Sequence, residues 1–209
     1  MARGLFISIE GPDGSGKSTQ LNNIKKFFEE KGVETVFTRE PGGTEIGERI
    51  RDILLDKTHT EMAPMTEALL YAAARAQHVE QVIKPALVEG KVVVCDRFVD
   101  SSIAYQGFGR KLGDSVAVIN SYAVSGTMPD LTILMKLDPS IGKSRIGSRE
   151  KDRLELEKDT FHEDVFEGYL SLEKKYPERI IGIDASRTIE DIKCDIYKKL
   201  EEVYTRVSE

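Results

Sequence analysis

The chain is poor in the residues that staple or metallate small proteins. Cysteine occurs twice, at Cys95 and Cys194, and histidine three times in 209 residues. No Cys-x-x-Cys pair exists, which argues against structural zinc and suits a reducing compartment. No apolar run approaches the ~18 residues that span a bilayer. Met1-Ala2-Arg3-Gly4 leads into the first apolar run without a signal-type segment, so the expectation is a cytoplasmic protein with no membrane partner. A cationic excess is missing as well. The net charge of −6 argues against wholesale wrapping of nucleic acid and leaves room only for a local basic cleft. Repeats, low-complexity tracts and Pro/Gly-rich linkers are absent, so residues 1–209 read as one domain with a radius of gyration of about 17 Å.

What remains is an alternation. Strand-like runs at 5–9, 33–38, 91–95, 131–137 and 179–183 are separated by helical patterns. Parallel strands need long crossovers, so this order predicts an α/β fold: a doubly wound five-stranded parallel sheet with helices on both faces. The unbroken apolar run Val92-Val93-Val94-Cys95 suits a strand buried on both sides. Ligands in such sheets bind beyond the carboxyl ends of the strands, where Gly11, Arg39 and Asp96 all fall.

Directly after the first strand stands Gly11-Pro12-Asp13-Gly14-Ser15-Gly16-Lys17-Ser18, followed by Thr19 at the start of a helical pattern. This is the pattern of a phosphate-binding P-loop. Glycines let the backbone turn several N–H groups onto one anion, and the helix N-terminus behind them favours negative charge. Lys17 is expected to reach the β- and γ-phosphates of a nucleoside triphosphate and Ser18 to ligate Mg²⁺. Asp96-Arg97 ends the third strand. A carboxylate there can hold the magnesium shell opposite Ser18, and the arginine offers a planar fork to phosphate; taken alone, the pair could equally be a surface ion pair.

Two further stretches carry chemistry. In Thr38-Arg39-Glu40-Pro41-Gly42-Gly43-Thr44 a stiff turn precedes a helix that Thr44 can cap, running through Ile46, Ile50 and Leu54 and carrying Arg51. Arg39 and Arg51 can serve a phosphate or simply be solvated. In the helix-forming run 66–75, Tyr71 and Arg75 stand four apart on one face, able to stack on a planar base and donate to its carbonyl; Tyr71 by itself could equally be a core aromatic.

With Ala72-Ala73-Ala74-Arg75-Ala76-Gln77-His78 and Asp96-Arg97-Phe98-Val99-Asp100-Ser101-Ser102-Ile103-Ala104-Tyr105-Gln106-Gly107, these motifs resemble the bacterial thymidylate kinases, over 5–169 at least. The resemblance implies transfer of the ATP γ-phosphoryl group to dTMP in a cytoplasmic homodimer, with Mg²⁺ held by Ser18 and Asp96. It implies that Gly11, Pro12, Asp13, Gly14, Ser15, Gly16, Lys17, Ser18 and Thr19 bind ATP, and that Asp13 lies near the sugar 3′-hydroxyl. Arg39, Arg51 and Arg97 would surround the acceptor phosphate, with Glu40 close to it and to the metal. Arg75 would donate to thymine O4, Ser102 and Gln106 would meet the N3 edge, and Tyr105 would stand against the sugar. Tyr71 occupies the stacking position where the family usually has Phe. Some members carry an arginine within the P-loop where this chain has Gly14. Here Arg149, Lys151 and Arg153 crowd a charged segment at 147–157, expected to be a mobile lid whose cations, Arg149 and Arg153 foremost, join Lys17, Arg97 and Asp13 in catalysis. Two other readings fit the motifs less fully: a kinase for dUMP or UMP, and a nucleotide-gated switch without turnover.

Overall fold

The computed structural model describes residues 4–147 and 152–208. Five parallel strands, β1 (Phe6–Glu10), β2 (Thr35–Arg39), β3 (Val92–Asp96), β4 (Leu131–Lys136) and β5 (Ile180–Asp184), form one sheet in the order β2-β3-β1-β4-β5. The chain runs from β1 out to the edge at β2, then turns back through β3 and crosses β1 to β4 and β5, so β1 lies centrally with the loop that follows it at the switch point, where α/β sheets bind ligands. The expected α/β doubly wound sheet is therefore present. Its second strand starts two residues late for a local reason: Gly32, at φ 66°, and Val33 still close the preceding helix, Val33 N donating to Phe28 O at 3.0 Å.

The helices are α1 (Lys17–Glu30), α2 (Glu45–Leu55), α3 (Pro64–His78), α4 (Lys84–Val88), α5 (Val99–Ser102), α6 (Asp114–Val124), α7 (Pro139–Ile146), α8 (Asp159–Lys175) and α9 (Ile189–Ser208). Wide π-helical turns follow α3 at Val79–Ile83 and α5 at Ile103–Gly109. No helix among the described residues is long and apolar enough to cross a membrane.

Side chains alternate across the pleat, and that alternation distributes β1 between two cores. Leu5, Ile7 and Ile9 pack with Ile24 and Phe28 of α1 and Ile196 and Leu200 of α9. Phe6 points the other way, into Ile83, Leu87, Val93 and Phe98. Beyond it on that face Leu134 meets Tyr105 and the α8 residues Phe161, Val165 and Tyr169. Ser8 and Glu10 share the face of Phe6 and are also fully buried, so each needs a polar partner there. Ser8 finds Thr132 at 2.8 Å. Glu10 finds three donors close to the loop after β3.

Candidate active site

The loop between β1 and α1 closes on itself around a lysine. Lys17 is buried, and its Nζ donates to the carbonyls of Gly11 at 3.0 Å and Pro12 at 3.1 Å. Burial, with Arg97 nearby, lowers its pKa to about 8. An anion arriving in this loop would raise it again. Gly14 sits at φ 77° with an added Cβ only 2.3 Å from the carbonyl of Gly142 in α7, so this backbone contact leaves no room for a P-loop arginine. Thr44 caps α2 as its sequence position suggested, accepting from Gly47 N at 2.9 Å, but Ile46 and Ile53 of that helix face outward.

Two buried oxygens at the mouth of the loop have no protein partner among the described residues: Ser15 Oγ and Asp96 Oδ1. An orphaned carboxylate oxygen at the end of β3, with Ser18 exposed at the start of α1, is a donor set that suits a hard cation such as Mg²⁺.

Asp13 and Arg97 join the loop to the far side of the cleft. Arg97 adopts φ 65°, rare for a residue with a side chain, and its Nη2 donates to Asp13 Oδ1 at 2.7 Å and Tyr105 Oη at 3.2 Å. Its Nη1 donates to Ser101 Oγ at 3.2 Å and Tyr169 Oη at 3.1 Å. Burial alone would raise the Asp13 carboxyl; the Arg97 and Lys17 charges overcome it and hold the pKa at about 2. Behind this pair Glu10 accepts from Phe98 N at 2.7 Å, Ser101 Oγ at 2.6 Å and Tyr169 Oη at 3.0 Å. Burial and the Asp100 charge push Glu10 up to about 7. The loop carrying Arg97 is thus held by a buried carboxylate that contributes nothing to the cleft wall.

The cleft itself has a volume of about 570 Å³ and is lined at one end by the P-loop and at the other by Tyr71, Arg75, Ser102, Tyr105 and Gln106. Arg39, Glu40 and Arg51 line it between. Arg39 pairs with half-exposed Glu48 at 2.8 Å, Arg51 donates to Pro41 O at 2.9 Å, and both cations border the cleft. The π-helical turn at Ile103–Gly109 brings Tyr105 and Gln106 to the same wall.

Arg75 is almost wholly buried, and each of its three nitrogens donates a hydrogen bond. Nε donates to Glu40 Oε2 at 2.8 Å, Nη1 to Ser102 Oγ at 2.9 Å and to Asn120 Oδ1, and Nη2 to Phe98 O at 3.0 Å, with Glu40 Oε2 2.7 Å from Nη2. Glu40 is shared with fully buried His78, whose Nδ1 lies 3.0 Å from Glu40 Oε1 and whose Nε2 lies 2.7 Å from Thr38 Oγ1. Both oxygens of Glu40 are therefore engaged. A base carbonyl approaching Arg75 would have to share one of these donors, Ser102 being the partner on the cleft wall.

The lid segment divides. Arg149 and Lys151 lie outside the described residues. Arg153 is nine-tenths buried: its Nε donates to Leu54 O at 2.9 Å and its Nη2 lies 2.7 Å from Glu67 Oε2. Arg153 is thus held on α2 and α3 and not on the phosphate loop, and reaching a γ-phosphate from there requires giving up both partners. Leu154 joins the core beside Phe161. Sequence reasoning passed over Arg145 and Asp152, which also line the cleft, and over Glu10, Glu67, His78 and Asn120, which brace it. Only Glu67 had a visible signal, its position four residues before Tyr71 on a helix.

The family model described as Thymidylate kinase matches residues 9–196. The thymidylate kinase of Halalkalibacterium halodurans is 48% identical over 97% of this chain and 98% of its own length. That of Geobacillus thermodenitrificans is 52% identical over 90% of this chain and 86% of its own. Among solved structures, thymidylate kinase from Ehrlichia chaffeensis superposes with a TM-score of 0.77 at 32% identity, covering 95% of this chain and 99% of that one.

Proposed function

The chain belongs to the thymidylate kinase family, and on that premise we propose that it phosphorylates dTMP to dTDP with ATP in the cleft between the P-loop and the Tyr71–Gln106 wall. The observation that carries this reading is the 2.7 Å contact between Asp13 and Arg97, which joins the donor loop to the wall where a nucleoside monophosphate would lie. The acceptor is already an anion at pH 7, so little general-base chemistry is needed, and positioning and charge compensation dominate. Lys17 releases its loop carbonyls to meet the donor phosphates. Arg97, aimed by Asp13 and Tyr105, compensates charge as the acceptor approaches, and Arg39 and Arg51 border the acceptor phosphate. Asp13 stays ionised across the whole physiological range and serves as a fixed anchor and not as a base. Tyr71 stacks on the base, Arg75 faces its O4 edge, Ser102 and Gln106 meet N3–H, and Tyr105 occupies the space a 2′-hydroxyl would need.

Ser18 and Asp96 would hold Mg²⁺, which supplies Lewis-acid neutralisation of the donor phosphates when bound. The segment 147–157 is read as the lid of a single domain. Within it we assign the γ-phosphate cation to Arg149 and a hinge anchor to Arg153, the latter because both its contacts lie on α2 and α3. A cytoplasmic homodimer completes the reading. It is supported by the apolar residues that α2, α3 and α6 leave exposed, among them Ile46, Ile53, Leu69, Val118 and Tyr122, and light scattering of the purified chain tests it.

A turnover panel of dTMP, dUMP, UMP and dCMP with ATP and Mg²⁺ tests the activity. Preference for dTMP is expected; equal or better use of UMP would move the assignment to another pyrimidine monophosphate, and binding without turnover would make the chain a switch.

A further inference from the structure

Gln106 carries two chemically opposite ends, and a carboxylate decides which of them the cleft receives. We propose that Glu67 is a specificity-determining positioning residue, which fixes the Gln106 amide with its carbonyl toward the cleft and so selects pyrimidines that present a ring N–H. This rests on the reading above that Gln106 lies against the N3 edge of the base.

Glu67 is fully buried on α3, one turn before Tyr71 and two turns before Arg75, so the three stand along one helical face beneath the base end of the cleft. Its Oε1 accepts from Gln106 Nε2 at 2.9 Å and from Arg110 Nε at 3.2 Å. Its Oε2 accepts from Arg110 Nη2 at 3.0 Å and lies 2.7 Å from Arg153 Nη2. Arg110 is itself held, by Glu157 at 2.6 Å and over the Phe161 ring at 4.7 Å. Burial would favour the neutral acid, but hydrogen bonds from Arg110 and Gln106 and the two guanidinium charges hold the carboxyl below the usual range.

An ionised carboxylate can only accept. Any amide packed against it must turn its NH₂ inward. Gln106 is almost wholly buried and also lines the cleft, so the carbonyl is the end left for the ligand. A carbonyl accepts the N3–H of thymine or uracil. Cytosine has a lone pair at N3, and the two acceptors would face each other in a buried site, the arrangement by which a polar pocket rejects an analogue most strongly. Turning the amide over to suit cytosine would set the Gln106 oxygen against Glu67. Glu67 thereby imposes a cost on the wrong base without touching any base.

The test compares kcat/KM for dTMP and dCMP, and KM for ATP, in the wild type, Glu67→Gln, Gln106→Ala and the exchange variant E67Q/Q106E. Glu67→Gln frees the amide to flip and should lower the dTMP/dCMP ratio by about ten-fold or more, part of it through improved use of dCMP, with KM for ATP within about two-fold. The exchange variant returns a carboxylate to the Arg110 cluster and puts an obligate acceptor at position 106, with the new amide at position 67 able to donate to it, so the ratio should recover toward the wild type. A merely structural role would lower both substrates by one factor and leave the ratio unmoved; that result in Glu67→Gln, or, if that variant does not fold, an exchange variant with a ratio below that of Gln106→Ala, overturns the proposal. Should Gln106→Ala itself keep the wild-type ratio, the placement of Gln106 at the base edge is what fails.

Discussion

Replacing Glu10 by glutamine isolates a buried titration that supports the Arg97 loop. Glu10 lies at the end of β1 with its carboxyl fully buried, facing Phe98 N, Ser101, Tyr169, Arg97 and the Asp100 carboxylate, itself paired with Arg179 at 2.6 and 2.8 Å. Its folded pKa is raised from 4.5 to about 7 by burial and by Asp100. The native state therefore binds a proton that the unfolded chain has already released. Stability from this group is fully present below about pH 4.5 and is lost as pH rises through 7. At ~1.4 kcal/mol per pKa unit the whole effect is on the order of 3 kcal/mol, most of it falling between pH 5 and pH 8. For a chain of this length that corresponds to roughly 5–10 °C in Tm. The amide that Glu10→Gln introduces keeps one acceptor oxygen for Phe98 N, and the Ser101 and Tyr169 hydroxyls can rotate to accept from its NH₂, so the variant mimics the protonated acid. Asp13, held at about 2, titrates outside this window. Thermal unfolding of wild type and Glu10→Gln at pH 5 and pH 8 gives the answer as a difference of differences: the wild type should lose about 5–10 °C relative to the variant on going from pH 5 to pH 8. A constant gap between the two proteins would mean that Glu10 does not titrate in that window.

Four other substitutions probe the cleft. Lys17→Ala should abolish turnover in a coupled assay while isothermal titration finds dTMP affinity nearly intact; equal loss of both would place Lys17 on the acceptor side. Arg75→Ala should weaken dTMP use by roughly 1.5–3 kcal/mol of hydrogen bonding to a charged group and, because it also strands Glu40 and Asn120 in the core, should lower Tm as well; an unchanged Tm would show that its buried network contributes nothing. Arg149→Ala should cut kcat by about 10²-fold or more with both KM values little changed, whereas Arg153→Ala should act chiefly on KM for dTMP through Glu67. Steady-state kinetics of the two variants distinguish them, and a large kcat loss confined to Arg153→Ala would return the catalytic cation to that residue.

The order of strands and helices and the position of the P-loop were legible in the sequence because each depends on local pattern. Five apolar runs spaced by helical periods permit little other than a parallel sheet, and glycines before a Lys-Ser pair must turn where they do. The cap at Thr44 and the placement of Tyr71 and Arg75 on one helix were readable for the same reason, the residues concerned lying within four positions of each other. Motif resemblance extended that reading to Arg97, Ser102, Tyr105 and Gln106, which the structure brings to one cleft. What stayed illegible was every pairing across long sequence separation. Glu10 meets Tyr169 across 159 residues, Glu67 meets Gln106 across 39, and Arg153 meets the carbonyl of Leu54 across 99. A charged residue in a surface-like sequence context gives no sign that burial will remove its water. Arg153 read as a catalytic lid cation because Glu67, which takes it, is contributed by a helix far away in sequence. Glu10 drew no reading from the sequence because its three donors come from the loop after β3 and from α8. Sequence determined which groups with phosphate chemistry the sheet would carry to one edge; only the packing of α3, α5 and α8 against that edge decided which charges face the cleft and which are held behind it, since a buried carboxylate must take whatever donors the tertiary fold supplies.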